Sequence, residues 1–204
     1  MTMPLLPRPS TVTVAPSTSR GSRPAAWWGV LMLIATEGTI FAILIASYLF
    51  LRASSTTWPQ GGIEVPDLRL ALPFSFVLWG SSIPLILAEA AIRKGRLTTV
   101  RLGLLVSGLM GLGFLIATFV DFDALHFGWR DNAYGSAFYT LVGLHTAHVA
   151  IGLGMNAVVQ LKAWMNKLSA ERHLTLTTFA MYWHFVDAVW LFVFPVAYLS
   201  PHLR

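Results

Sequence analysis

Five acidic and histidine side chains stand out because they interrupt long apolar stretches of this chain: Glu37, His145, His148, His184 and Asp187. The last four form two pairs with a spacing of three residues, which places both members of each pair on one face of a helix. Carboxylates and imidazoles bind and release protons, and imidazole also binds metal ions. The pattern therefore offers three kinds of chemistry, namely proton transfer, metal binding and hydrogen bonding between helices.

Long apolar stretches must position these side chains, and their length indicates a membrane protein. Hydrophobic residues make up 55% of the 204 residues and charged residues only 11%, whereas an average soluble domain has roughly 25% charged residues. About 20 apolar residues cross the bilayer core as a helix. The stretches do not alternate between apolar and polar residues, as the strands of a membrane β-barrel do. We therefore predict an all-α integral membrane protein, a bundle of five transmembrane helices at residues 28–51, 70–92, 99–120, 136–162 and 175–199.

The distribution of basic residues predicts how these spans are oriented. The N-terminal segment and the two loops on its side of the membrane carry ten Lys and Arg residues, and the opposite side carries four. Short loops rich in Lys and Arg stay in the cytoplasm. We therefore expect a cytoplasmic N-terminus and an external C-terminus. The same distribution explains the net charge of +5, so nucleic-acid binding needs no separate hypothesis.

Residues 1–24 differ in composition from the membrane domain, residues 25–204. They are rich in Pro, Ser and Thr and contain three Arg residues, which predicts a flexible cytoplasmic tail. No apolar segment with a small-residue cleavage site follows the tail. The first span is therefore expected to be retained as a helix.

Small residues and proline predict how the helices pack. Pro84 removes a backbone hydrogen bond within the second span and should kink it, with the hydroxyls of Ser81 and Ser82 available to the freed carbonyls. Small residues spaced four apart allow close contact between membrane helices. Such ladders occur in the first span, at Gly38, Ala42 and Ala46, and in the third span, at Gly103, Ser107 and Gly111.

Glu37 is the strongest functional candidate because of its depth. It lies about ten residues inside the first span, which corresponds to roughly 15 Å along a helix. A charged carboxylate at that depth costs several kcal/mol unless it is protonated, paired or hydrated. Glu37 is therefore either a neutral acid that forms a hydrogen bond between helices, or a residue with a role linked to protons, lipids or a partner. Together with the two histidine-containing pairs it could form one polar cluster near the midplane.

A metal or haem site is the alternative for the histidines. Two histidines three positions apart on one helix do not supply axial ligands on opposite faces of a haem, and the chain has no cysteine. We therefore predict no catalytic residue and no metal on this chain, and favour structural hydrogen bonds for His145, His148, His184 and Asp187.

Glu89 and Arg93 form a further candidate pair at the cytoplasmic end of the second span. Their spacing of four residues, with the acid first, favours an ion pair along a helix. The pair is interpreted as a hydrated contact at the membrane interface or as a contact with a lipid headgroup.

Several segments closely resemble subunit III of haem-copper terminal oxidases. Residues 182–192, Tyr-Trp-His-Phe-Val-Asp-Ala-Val-Trp-Leu-Phe, resemble the signature of its last helix, and residues 143–153 resemble its Gly-x-His-x-x-His-Val-x-x-Gly segment. Residues 134–139, Tyr-Gly-Ser-Ala-Phe-Tyr, and residues 36–41, Thr-Glu-Gly-Thr-Ile-Phe, are also similar to that family. The resemblance extends from Trp28 to the C-terminus, and five spans match the short bacterial form of the subunit.

The resemblance implies an accessory subunit without a redox centre, integral to the bacterial cytoplasmic membrane. Its partners would be oxidase subunits I and II, which carry the haem and copper, and membrane lipids, including bound phospholipid. Its role would be to support proton uptake, lipid binding and the stability of the catalytic subunit during aerobic respiration. Glu37 matches the carbodiimide-reactive buried carboxylate of the family, and the two histidine-containing pairs match its motif positions.

Three alternatives stay open. The subunit could belong to a quinol oxidase, although the amino-acid sequence of residues 182–187 favours cytochrome c as electron donor. A self-sufficient five-helix carrier would use Glu37 and Asp187 as a proton-coupling pair. Carriers often have paired broken helices, however, and only one span is strongly interrupted by proline here. A haem-bearing membrane cytochrome would show haem absorbance in the isolated chain.

Overall fold

A computed structural model describes residues 23–203 as a helical bundle. Apart from its last two residues, the predicted tail lies outside this range. The part described contains no β-strand, and five of its helical segments are long and apolar enough to cross a membrane. They are Ala25–Ala53, Leu68–Arg93, Leu97–Ala124, Ala133–Trp164 and Leu174–His202. The predicted all-α class and the five spans are confirmed, and each helix end lies within four residues of its predicted position.

Six α-helices build these spans: α1 (Ala25–Ala53), α2 (Leu68–Gly80), α3 (Ser82–Arg93), α4 (Leu97–Ala124), α5 (Ala133–Trp164) and α6 (Leu174–Phe194). The last span continues beyond α6 through short π-helical and 3-10 turns. Helix α6 contacts α1, α2, α3 and α5, and α4 packs against α2, α3 and α5. The core therefore centres on α6, whereas α1 buries only Phe41 and Tyr48.

The second span is interrupted at Ser81, between α2 and α3. Pro84 has no backbone N–H, so it cannot donate to the carbonyl of Gly80 four positions earlier. This interruption lies where Pro84 predicts a kink in the second span. The predicted role of the serine hydroxyls is wrong, because those of Ser81 and Ser82 bind side chains of α6 instead of freed carbonyls.

The two ladders of small residues differ in their surroundings. In α4, Gly103, Ser107 and Gly111 are all buried, as expected for a tight helix contact. In α1, Ala42 and Ala46 are exposed, so the tight contact predicted for the first span is wrong within this chain. The α1 ladder instead lines an open apolar groove beside α6.

Gly103 allows α4 to pack against the interruption in the second span, and its replacement should destabilise the bundle. A Cβ atom at this position would lie 2.5 Å from the Pro84 carbonyl oxygen and 2.9 Å from the Ala88 Cβ. Because backbone must move to make room, we expect Gly103→Ala to lower the free energy of unfolding by about 1–3 kcal/mol. Thermal unfolding followed by circular dichroism in detergent measures this change.

The matched control is Gly154→Ala in α5, where an added Cβ meets no atom within 4 Å. Alanine is a better helix former than glycine by about 1 kcal/mol, so this variant should unfold at the same temperature as the wild type or higher. Equal behaviour of the two variants would contradict the close packing at Gly103.

Candidate functional site

Glu37 of α1 binds His148 of α5 within the membrane-spanning region. Glu37 Oε2 lies 3.1 Å from His148 Nε2, and the two side chains are 25% and 9% exposed. The other ring nitrogen, Nδ1, lies 2.8 Å from the carbonyl oxygen of Leu144. Tyr182 of α6 donates a hydrogen bond to the His148 carbonyl oxygen, which ties a third helix to this position.

These contacts determine how many protons the Glu37–His148 pair holds. A carbonyl oxygen only accepts, so His148 Nδ1 must carry a hydrogen to bind the Leu144 carbonyl. The Nε2 atom of the neutral ring is then an acceptor, and so is an ionised Glu37. Their hydrogen bond therefore needs one more proton, either on Glu37 or on Nε2. In both arrangements the pair is neutral as a whole, which is the state that a low-dielectric membrane interior favours.

A second polar group joins α3 to α6. Ser82 Oγ lies 2.9 Å from His184 Nδ1 and donates a hydrogen bond to Asp187 Oδ2. His184 Nε2 lies 3.7 Å from Glu89 Oε2. Since the hydroxyl of Ser82 has a single hydrogen, which it gives to Asp187, His184 Nδ1 must donate to Ser82. When the imidazole is neutral, its unprotonated Nε2 atom therefore faces Glu89.

His145 is fully buried in an aromatic cage and has no hydrogen-bond partner on either ring nitrogen. Its ring stacks on Trp190 at a centroid distance of 4.5 Å. Phe114 and Phe41 contact it edge-on at 5.9 Å and 6.3 Å. The prediction that His145 locks helices by hydrogen bonds is wrong, because its ring packs against three aromatic rings and neither ring nitrogen has a hydrogen-bond partner.

Two further expectations need correction. The five candidate side chains do not form one cluster, since no hydrogen bond or ion pair among residues 23–203 joins the Glu37–His148 pair to the group around His184. The predicted ion pair of Glu89 with Arg93 is also absent from the part of the chain that the structure describes. Glu89 points across to His184 on α6, and Arg93 is exposed.

Sequence reasoning missed the serine side chains that anchor the tryptophans of α6. Trp183 Nε1 donates to Ser81 Oγ and Trp190 Nε1 donates to Ser75 Oγ, each at 2.8 Å. The signal was a similar spacing, because the two indoles lie seven residues apart on α6 and their partners lie six apart on the antiparallel second span. Trp183 also fills a slot between glycines of α4 and α5, where a Cβ would come within 2.6 Å and 2.8 Å of its ring.

Metal ligands do not converge in the part of the chain described. Among residues 23–203, no group of three or more His, Cys, Asp or Glu side chains could hold a metal ion. Two groups of polar side chains instead join helices at membrane depth, the Glu37–His148 pair and the group of Ser82, His184 and Asp187. The fold and these contacts define a polytopic helical membrane protein with polar contacts between its helices.

Comparison with known proteins places this membrane protein in a family. The family model described as cytochrome c oxidase subunit III matches residues 18–201. The chain therefore belongs to the cytochrome c oxidase subunit III family and is an accessory subunit III of a terminal oxidase, in agreement with the resemblance of residues 143–153 and 182–192.

Curated relatives are similar over most of their length. The chain is 34% identical to cytochrome c oxidase subunit 3 of Bacillus subtilis over 181 residues, which cover 84% of each chain. It is 30% identical to the protein of the same name from Thermostichus vulcanus, over 84% of this chain and 85% of the relative. It is also 32% identical to cytochrome bo(3) ubiquinol oxidase subunit 3 of Pseudomonas aeruginosa, over 89% of this chain and 86% of the relative.

Proposed function

We propose that this chain supports proton uptake, phospholipid binding and the stability of the catalytic subunit in a proton-translocating cytochrome c oxidase. The complex would lie in the bacterial cytoplasmic membrane, with this chain beside subunits I and II, which carry the haem and copper. The contact between Glu37 and His148 carries the proposal, because it holds a titratable proton at membrane depth. O2 reduction would belong to the complex, since this chain contributes no redox centre to it.

The exposure of Glu37 supports a partner on the α1 side. Its side chain is 25% exposed in the isolated chain, and exposed carboxylates are unfavourable against lipid. Helix α1 buries little of its surface within the bundle. A subunit packed against α1 would shield the Glu37–His148 pair and place its proton beside the catalytic subunit.

The groove beside α1 supports phospholipid binding. It has a volume of about 540 Å³ and is lined by α1 and α6. Its lining is almost entirely apolar and includes Ala42, Phe185 and Phe192. An acyl chain makes favourable dispersion contacts with such a surface. We therefore propose that a phospholipid tail lies there in the assembled complex.

The proposed electron donor is cytochrome c, and a quinol is the alternative. Relatives named cytochrome c oxidase and ubiquinol oxidase are similarly identical to this chain, at 34% and 32%. Cytochrome c is proposed because the amino-acid sequence of residues 182–187 favours it. Measuring O2 consumption of the purified complex with reduced cytochrome c and with a quinol distinguishes the two donors.

Co-purification tests the proposed role as an oxidase subunit. An affinity tag on this chain, in mild detergent extracts of native membranes, should bring down subunits I and II, which haem absorbance and copper would reveal. A separately expressed chain should be colourless. A colourless, stoichiometrically pure chain from native membranes would favour the five-helix carrier, and a Soret band in the separately expressed chain would favour a membrane cytochrome.

The proposed orientation can be tested with single cysteines, because the natural chain has none. Thr57→Cys lies in the connection after α1 and Lys94→Cys in the connection after α3, and both positions are exposed. Since one span separates them, an impermeant thiol reagent should label Lys94→Cys only from the cytoplasmic side and Thr57→Cys only from the outside. Labelling of both variants from the same side of intact cells or inverted vesicles would contradict the five-span topology.

A further inference from the structure

A continuous series of four polar side chains connects the lateral surface of the bundle with its interior. The series runs from Glu89 through His184 and Ser82 to Asp187. Its three contacts are the 3.7 Å approach of Glu89 Oε2 to His184 Nε2, the 2.9 Å contact of His184 Nδ1 with Ser82 Oγ, and the hydrogen bond from Ser82 to Asp187. None of these residues is required for the Glu37–His148 pair.

The series leads from two partly exposed side chains to a buried one. The side chains of Glu89 and His184 are 23% and 34% exposed, whereas Asp187 is only 6% exposed. Glu89 lies four residues before the end of α3, about one helical turn from its terminus. Asp187 lies thirteen residues into α6, and its Oδ1 atom is buried without a hydrogen-bond partner. A buried carboxylate with a free oxygen is a site where a proton would be stabilising.

We propose that Glu89, His184, Ser82 and Asp187 form a proton relay, in which Glu89 takes up a proton and Asp187 stores it. The inference rests on the proposed role in proton uptake and gives that role a second proton-binding site. The relay ends inside this chain at Asp187, so it acts as a store that fills and empties through Glu89.

The transfer balances with one proton and no other reactant. The O–H bond of protonated Glu89 breaks as an N–H bond forms on His184 Nε2, after a rotation of the Glu89 side chain closes the 3.7 Å gap. The N–H bond at His184 Nδ1 breaks as a new O–H bond forms on Ser82. The original O–H bond of Ser82 breaks as an O–H bond forms on Asp187 Oδ2. Glu89 ends as a carboxylate, Asp187 as a neutral acid, and His184 as the other neutral tautomer.

Other titratable groups on the helices around α6 are separate from the relay. Helix α1 contributes Glu37 and helix α5 contributes His145 and His148. Glu37 and His148 bind each other, and the ring of His145 has no polar contact. On α3, Arg93 is exposed and forms no ion pair with Glu89. None of these groups contacts Asp187, so a change in the protonation of Asp187 can be distinguished from a change in theirs.

Infrared difference spectroscopy of the purified oxidase complex tests the relay. After a rapid drop in pH, the C=O stretch of a protonated carboxylic acid should appear, and Asp187→Asn should remove it. We expect Ser82→Ala to slow its appearance at least about tenfold, since a positioned proton-transfer group typically contributes about 10²- to 10⁴-fold. Ser82→Thr keeps a hydroxyl and should restore the rate.

Ser75→Ala is the matched control, because Ser75 is a buried serine of the same span that binds Trp190 and lies outside the series. In this variant Asp187 should become protonated at the wild-type rate.

If Ser82→Ala does not assemble, Glu89→Gln removes the entrance acid at a partly exposed position and should slow the protonation of Asp187 equally. Unchanged filling in an assembled Ser82→Ala or Glu89→Gln complex, or no Asp187 band at any pH in the wild type, would overturn the relay. A failure of the proposed subunit role would appear differently, as loss of co-purification.

Discussion

Trp190→Ala should destabilise the bundle more than any other single substitution considered for this chain. The Trp190 side chain is 1% exposed, stacks on His145 at 4.5 Å and contacts Phe114 at 5.0 Å. Its Nε1 atom donates to Ser75 Oγ at 2.8 Å. Truncating a buried tryptophan typically costs about 3–5 kcal/mol, and here it also leaves His145 beside a cavity. We expect a large fall in the unfolding temperature in detergent and loss of the subunit from the complex.

Two comparisons separate the causes of this effect. Trp129→Ala removes the same side chain from a position that is 61% exposed, so it should change stability by less than about 0.5 kcal/mol. Trp190→Phe keeps most of the packing and removes the indole N–H. If the hydrogen bond to Ser75 matters, Trp190→Phe and Ser75→Ala should be non-additive in a double-mutant cycle. A Trp190→Ala variant as stable as Trp129→Ala would contradict the packing described for α6.

The spans could be predicted from the sequence because the bilayer imposes one simple requirement on them. Uncharged stretches such as residues 102–120 can only be accommodated as helices of sufficient length. The break in the second span was also predictable, since Pro84 lacks a donor regardless of its neighbours. The helix ends were less certain, because polar residues near a membrane surface can continue a helix, as Asp121 does in α4.

Contacts between helices could not be predicted in the same way, since they depend on the rotation of each helix. The spacing of Glu89 and Arg93 predicts a pair on one helix, but α3 turns Glu89 toward His184 of α6. The spacing of His145 and His148 places both on one face. Their directions around the helix nevertheless differ by part of a turn. As a result His148 binds Glu37, whereas His145 is enclosed by aromatic rings. The spacing of residues along the chain shows which of them share a helix face, but only the packing of the helices determines which residue each one contacts.

The exposed ladder of α1 illustrates a further limit. Small residues at 38, 42 and 46 predict a close helix contact, and within this chain the ladder faces a groove instead. In a subunit of a larger assembly, a ladder of small residues can predict a contact with lipid or with another subunit instead of a contact within the chain. The same reasoning applies to the partial exposure of Glu37, which is unfavourable in an isolated chain and expected at an interface.

Glu37→Gln should leave the oxidase assembled and initially active but shorten its working life. A glutamine has nearly the shape of the acid, and its amide can donate to the unprotonated Nε2 atom of His148, so the α1–α5 contact at 3.1 Å is kept. The titratable proton is lost. Since the variant keeps the contact but cannot hold the proton, we expect inactivation during turnover to be faster than in the wild type.

The measurement is O2 consumption over many turnovers, together with protons released per electron, in reconstituted wild-type and variant complexes. Glu64→Gln is the matched control, because it removes an exposed acid from the connection between α1 and α2 and should behave as the wild type. The initial rate of Glu37→Gln should be close to that of the wild type, since O2 chemistry is assigned to another subunit. Immediate and complete loss of O2 reduction in an assembled variant would show that this assignment is wrong. Identical behaviour in every assay would leave Glu37 as a structural acid, whose only role is to hold α1 against α5.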